Sequence, residues 1–171
     1  METNGYIRDK LDLKLLILFI LRQLPAEIDS ERLAELVLLD GGINYFDYKV
    51  CLSELVESAQ VEETAEGCRV TAKGSRNCEA LENNIPWSVR SRARQLLAPV
   101  ADEMRRQALV LANHEAGEGG VNVYLSLSDG LGSIFDLRIL AADEAQAGRI
   151  ERSFRAGAEE IYHRFLQELS K

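Results

Sequence analysis

The residues of this chain that could do chemistry are few, and their spacing argues against a catalytic or metal centre. His114-Glu-Ala-Gly-Glu118 begins like the zinc-binding helix of a metalloprotease, but the second histidine of the ligand pair is missing. Cys51, Cys68 and Cys78 form no CxxC pair, and a structural zinc site needs about four ligands. The sequence therefore predicts no metal and no bound cofactor.

Two further patterns resemble functional motifs but lack the structural setting that those motifs require. Gly130-Leu-Gly132 has two glycines of a dinucleotide fingerprint, yet it lies between two predicted strands and opens no helix. No serine lies in a nucleophile elbow. Cys51 is either a redox-sensing thiol or a small buried residue, and burial is the simpler interpretation. We expect that the protein is not an enzyme.

The segment best suited to recognising another molecule is residues 44–71. An amphipathic helix is predicted over residues 45–59, capped by Asn44, and two short extended runs around a Glu66-Gly67 turn follow at once. The order of helix, turn, helix and hairpin is typical of a winged helix-turn-helix module. DNA binding is the function that this order of elements indicates.

Five residues of this module are the candidates for DNA contact: Asn44, Tyr45, Phe46 and Lys49 at the start of the third helix, and Arg69 on the wing. The surrounding chemistry argues against this role, because the same outward surface also carries five glutamates: Glu54, Glu57, Glu62, Glu63 and Glu66. A helix that reads a major groove normally presents Arg, Lys, Asn or Gln. The alternative is therefore an acidic interaction module that binds a basic protein partner and not DNA.

The overall charge supports the same alternative. The chain has 171 residues and a formal net charge of −8. Residues 1–85 carry 9 basic and 16 acidic side chains, so the half with the DNA-binding pattern is the acidic half. Phosphate contacts supply most of the affinity of a nonspecific nucleic-acid binder, which usually has a basic face.

The preceding elements complete the predicted module. Residues 8–24 form a helix that Pro25 ends, and residues 30–39 form a second helix that begins at Asp29 or Ser30. The first helix is apolar on all sides over residues 15–21. It either contacts a second domain or subunit, or is buried within one core. Seven residues are far too few to span a membrane, which takes about 20, and three cysteines at irregular spacing favour a reducing cytoplasm.

The second half of the chain predicts a long helix and a small sheet. Residues 88–114 have a helical pattern with a kink or break at Pro99. Apolar and polar residues alternate over residues 121–127, which predicts a half-buried strand. Residues 129–132 form a turn, and residues 134–140 form the partner strand. A final helix begins after Asp143, with an apolar stripe of Ile150, Phe154, Ile161, Phe165 and Leu169.

Dimerisation is predicted from two of these features. A hairpin and one helix cannot bury both faces of a sheet, so the C-terminal half should pack on the long helix or on a second subunit. The excess of apolar surface on the first helix indicates a further contact. We therefore expect a homodimer.

Several segments resemble those of an uncharacterised bacterial family of domains of unknown function, number 4364. The resemblance lies in Leu15-Leu-Ile-Leu-Phe-Ile-Leu-Arg-Gln-Leu-Pro25, Asn44-Tyr-Phe, Leu52-Ser-Glu-Leu-Val-Glu57, Thr71-Ala-Lys-Gly74 and residues 121–127 and 150–169. The family is similar in its first half to winged-helix regulators of the MarR and PadR kind, which implies a regulatory role by analogy of fold. The resemblance implies no catalytic or ligand residues.

The sequence thus predicts an α+β protein with a winged helix-turn-helix domain (residues 1–85), a long connecting helix (residues 86–120) and a β-hairpin packed with a helix (residues 121–171). The predicted function is a cytoplasmic, dimeric, DNA-binding transcriptional regulator. The alternative function is the protein-interaction module.

Overall fold

The computed structural model describes residues 9–38 and 43–171 and divides the chain into two compact units, residues 1–104 and 105–171. The protein has the predicted α+β class. The boundary between the units falls inside the predicted connecting segment, residues 86–120. The predicted turn at residues 40–42 and the side chain of Leu39 lie outside the described residues.

Helix α1 (Lys10–Gln23) is the centre of the N-terminal unit. Asp9 caps it, and it ends at Leu24, whose backbone is extended before Pro25. All side chains from Leu15 to Leu21 are buried, with at most 3% of their surface exposed. They pack against α2 (Ser30–Leu38), α3 (Tyr45–Glu57), β2 (Cys68–Val70) and α4 (Ala72–Leu81). Burial within one core is therefore the correct interpretation of this helix, and its apolar excess gives no reason to expect a second subunit.

The elements after α1 follow the predicted order. Asp29 caps α2 by accepting hydrogen bonds from the backbone N–H groups of Glu31 and Arg32. Helix α3 is followed by β1 (Val61–Glu63) and β2, which pair antiparallel. An isolated bridge joins Ile28 to Cys68, so a third extended segment pairs with the hairpin. This pairing ties the start of α2 to the hairpin that follows α3.

Gly67 makes that pairing possible. Its φ of +142° is strained for residues with side chains, and a Cβ there would lie 2.5 Å from the carbonyl oxygen of Ile28. Tyr48 joins α3 to the start of α2, because its buried hydroxyl donates to the backbone oxygen of Ser30 at 2.8 Å. Helices α2 and α3 are thereby fixed to each other and to the hairpin.

The long helix differs from its prediction at its C-terminal end. Helix α5 (Trp87–Ala108) continues through Pro99 without a break and stops six residues before His114. Residues Val110–Gly117 form strand β3 instead, paired antiparallel with β4 (Gly120–Ser128). The prediction of a helix to His114 is therefore wrong. Pairing with β4, which local periodicity does not report, decides the conformation of this segment.

The C-terminal unit is a three-stranded antiparallel sheet of order β3-β4-β5 with one helix. Strands β4 and β5 (Ser133–Ala141) are the predicted hairpin, closed by the predicted turn, in which Asp129 accepts from the N–H groups of Leu131 and Gly132. Helix α6 (Glu144–Leu169) begins at the predicted cap Asp143. It covers the sheet face that bears Val123, Leu125 and Leu127.

The opposite face of this sheet is mixed, because mainly polar side chains lie there beside Leu111 and Leu140, which are 66% and 58% exposed. Its side chains include Asn113, Asn122, Tyr124, Ser126, Asp136 and Arg138, and Arg138 donates to the amide oxygen of Asn122. Helix α6 lies on the more apolar of the two faces. The apolar stripe of α6 also reaches less far than predicted, because Phe154 is buried whereas Leu169 is 82% exposed.

Candidate nucleic-acid interface

The first predicted contact residue, Asn44, is used by the helix that it starts. Its side-chain oxygen accepts from the N–H of Asp47 at 2.8 Å, and its side-chain nitrogen donates to the carboxylate of Asp47 at 2.5 Å. Each polar group of the amide thus makes one hydrogen bond at the helix start, as expected of an N-cap. Asn44 positions α3 and keeps one N–H and one oxygen lone pair for another partner.

Tyr45 and Lys49 converge on a carboxylate that sequence analysis did not single out. The hydroxyl of Tyr45 donates to the two carboxylate oxygens of Glu31 on α2 at 2.8 and 3.0 Å. The ammonium of Lys49 lies 3.1 Å from the same carboxylate and 5.5 Å from the centre of the Tyr45 ring. The hydrogen bond from Tyr45, followed by that from Lys49, lowers the pKa of Glu31. The cationic group at the start of α3 is therefore paired with an anion.

Arg69 is paired in the same way on the hairpin. It lies directly opposite Glu62 in the strand register, and its guanidinium nitrogens are 2.7 and 2.8 Å from one carboxylate oxygen of Glu62. A second carboxylate, that of Glu27, lies 3.5 Å away. Opposite charges on facing strand positions stabilise a hairpin modestly. The hairpin therefore presents an arginine whose charge is neutralised.

An exposed aromatic pair lies beside these ion pairs. Phe46 is 75% exposed and Tyr45 is 45% exposed, both in the first turn of α3. Five predicted contact residues thus fall into three groups: a capping amide, two cations held by carboxylates, and an aromatic edge. The structure brings Tyr45 and Lys49 together through Glu31, whereas Arg69 has partners of its own.

The acidic side chains of the same module differ in whether they form ion pairs. Glu54 lies 2.6 Å from the ammonium of Lys14 on α1, and Glu62 is held by Arg69. Glu57, Glu63 and Glu66 make no ion pair with any residue that the structure describes. The carboxylates that remain available to a partner are therefore those at the end of α3 and on the hairpin.

The cysteines do not form a reactive or metal-binding group. All three are buried free thiols, and burial raises the pKa of Cys51 and Cys78 and raises that of Cys68 to about 11. Because the thiolate is the nucleophile and the metal ligand, raised pKa values keep these side chains unreactive. Within residues 9–38 and 43–171, no cluster of three or more His, Cys, Asp or Glu side chains is placed to hold a metal ion.

His114 has a role that sequence analysis missed. It lies on β3 and faces α6, where Nδ1 is 2.7 Å from a carboxylate oxygen of Glu151 and Nε2 is 2.6 Å from one of Glu144. Ionised carboxylates only accept hydrogen bonds, so this arrangement favours the protonated imidazole, in which both ring nitrogens donate. The hydrogen bond with Glu151, and then that with Glu144, raises the pKa of His114. Arg155 also contacts Glu151, at 3.5 Å.

This arrangement predicts that the C-terminal unit loses stability as the pH rises. A histidine whose pKa is raised on folding stabilises the folded state fully below its unfolded pKa of about 6.5, and this contribution disappears as pH rises through the folded pKa. Urea unfolding of the wild type and of His114→Gln should therefore differ most below pH 6.5 and converge above the folded pKa. His163→Gln, at an exposed position on α6, is the control. If the difference in unfolding free energy between the wild type and His114→Gln does not change with pH, the role assigned to His114 is contradicted.

The elements and the surface together define the class of protein. It is an α+β protein with a helical N-terminal unit that carries a small hairpin, and a C-terminal unit of an antiparallel sheet covered by one helix. The family model described as "Domain of unknown function (DUF4364)" matches residues 13–169, and the chain belongs to that family. No curated protein and no solved structure gives a significant match. Among the described helices, none combines the length and apolar character needed to cross a membrane.

Proposed function

We propose that this protein is a cytoplasmic winged-helix transcriptional regulator that binds double-stranded DNA as a homodimer. The observation that carries the proposal is the pairing of Ile28 with Cys68. It attaches the start of α2 to the hairpin after α3, which is the arrangement in which a winged helix offers its third helix to the major groove and its hairpin to the flanking backbone. The start of α3 is the end that would approach DNA.

Lys49 and Arg69 are the proposed phosphate contacts, and each must exchange a carboxylate for a phosphate. Exposed ion pairs contribute only about 0–1 kcal/mol, and the side chains of Lys49 and Glu31 are 37% and 64% exposed. A phosphate can therefore replace Glu31 or Glu62 at small cost. Tyr45 and Phe46 would then lie against the sugar-phosphate backbone or a base edge.

The exchange predicts DNA binding that is modest in affinity and strongly dependent on salt. If both cations of both copies contact phosphates, four phosphates are neutralised, and the slope of log K against log salt is about −3.6. Affinity should then fall on the order of 100-fold between about 50 and 200 mM salt. Binding to a pool of genomic fragments, followed by salt titration of the enriched fragments, measures this. Failure to enrich any fragment at any of these salt concentrations would overturn the proposal.

A second candidate function is an interaction module for a basic protein segment. It is supported by Glu57, Glu63 and Glu66, which make no ion pair with the described residues, and by the exposed ring of Phe46 in the first turn of α3. A cationic partner would gain electrostatic attraction where DNA meets repulsion. A protein of this kind would enrich no DNA in the fragment experiment, so that result would favour the module.

A further inference from the structure

An apolar groove runs along α6 on the side nearest β5. Two adjoining cavities of about 370 and 300 Å³ form it, and both are lined by Ile161 and Phe165. Leu137 and Ile139 of β5 form the wall opposite the helix in the first cavity. The ring of Phe135 lies 5.3 Å from that of Phe165, centre to centre. The groove lies wholly within the C-terminal unit.

The groove exists because α6 lies mainly over β3 and β4 and less over β5. Leu137 and Ile139 are consequently only half-buried, although they point to the covered face. Farther along α6, Phe165, Leu166 and Leu169 are 40%, 45% and 82% exposed. Contiguous apolar surface of this kind on a folded unit marks an interaction site. A small molecule would be a poor occupant, because ligand pockets bury most of the ligand whereas this groove is open along one side.

Charged side chains stand at both ends of the groove. Arg149 lines one end, and Glu168 lines the other together with Arg164. Arg149 makes no ion pair with the described part of the chain, and Glu168 pairs only with Lys171, where both side chains are 70% exposed. Because both residues lie on α6, an antiparallel copy of that helix would bring its Glu168 toward Arg149 and its Arg149 toward Glu168. Two Arg149–Glu168 pairs can therefore form across a twofold axis.

The midpoint between Arg149 and Glu168 is suited to a close crossing of two helices. It falls beside Gly157, where α6 is kinked and the backbone leaves the helical region with φ −150° and ψ 37°. A Cβ at Gly157 would meet nothing within 4 Å, so this side of the helix is open. Isologous contact about a twofold axis requires a surface that pairs with itself. The position of Gly157 and the charges at both ends meet that requirement.

We propose that the groove binds α6 of a second copy of the chain, antiparallel about a twofold axis near Gly157, with Arg149 of each copy paired with Glu168 of the other. Ile161 and Phe165 of each copy fill the groove of its partner. The contact supplies the interface for the dimer in the proposed function. It does not depend on whether the dimer binds DNA.

Sedimentation velocity of the full chain, without DNA, tests this contact. The wild type should be dimeric at tens of micromolar. Arg149→Glu and Glu168→Arg should each raise the dimer dissociation constant at least about tenfold, because each places like charges together twice per dimer. The double variant Arg149→Glu/Glu168→Arg should restore the wild-type constant. Both residues are exposed, so circular dichroism and thermal unfolding should show that all four proteins are folded.

Two results would overturn the contact: a monomeric wild type at these concentrations, or a double variant no tighter than the single ones. If the double variant restores the dimer but the protein enriches no genomic fragment, the DNA-binding proposal is wrong and the dimer interface is still supported. The two proposals therefore fail separately.

Discussion

Gly74→Ala is expected to destabilise the N-terminal unit by about 3 kcal/mol, the upper end of the usual cost of overpacking. A Cβ at this position would lie 2.1 Å from the backbone oxygen of Gln60 and 3.1 Å from Cδ2 of Leu18. The oxygen cannot move aside easily, because it accepts the N–H of Thr71 at 3.0 Å where the chain leaves β2 for α4. Relief of the clash must shift α4 away from α1, whose side chains fill the core.

Gly148→Ala provides a matched control. Gly148 also lies inside a helix, but its added Cβ would meet only a guanidinium nitrogen of Arg152 at 3.4 Å, on a flexible and exposed side chain. Helix propensity then dominates, and the substitution should be neutral or stabilise by up to about 1 kcal/mol. Urea unfolding followed by circular dichroism measures both variants. Equal stability of the two variants would show that α4 is not packed on Gln60 as described.

The double variant Lys49→Ala/Arg69→Ala is expected to weaken DNA binding by on the order of 10⁴-fold at about 50 mM salt, since four phosphate contacts per dimer are lost. The loss should be nearly uniform across the enriched fragments, because phosphate contacts carry little sequence information. The salt slope should become shallower by about 3.6. Fluorescence anisotropy of labelled fragments over a salt series measures both quantities.

Two further variants separate this effect from a general change of charge. Arg138→Ala removes an exposed cation from the polar face of the C-terminal sheet, where it bonds Asn122, and should leave DNA affinity nearly unchanged. Glu31→Gln removes the anion that holds Lys49 and should strengthen binding. Similar losses in Arg138→Ala and in the double variant would contradict the assignment of Lys49 and Arg69.

Much of the local structure could be predicted because its causes lie within a few residues of each other. Asn44 and Asp143 cap their helices as expected, since the N–H groups that they satisfy lie three residues ahead. The turn after Asp129 forms for the same reason. The alternation of apolar and polar side chains along β4 also predicts which of its faces is buried.

Strand β3 could not be predicted in this way. Residues 105–114 continue a helical pattern, and nothing local distinguishes them from the end of α5. Their extended conformation depends on pairing with β4 across the tight turn at Gly119 and Gly120, both of which have positive φ. That pairing also places His114 opposite α6, where it meets Glu144 and Glu151, which lie at least 30 residues away in sequence.

By itself, the sequence determined the helix-helix-hairpin order, the apolar centre at α1 and the acidic balance of the first half, because periodicity, capping and composition are local or additive properties. Only the tertiary structure decided which charges meet. Glu31 reaches Tyr45 and Lys49 from another helix, and Glu62 meets Arg69 through strand register. Ion pairing requires atoms within about 4 Å, and the fold, not the spacing along the chain, sets such distances.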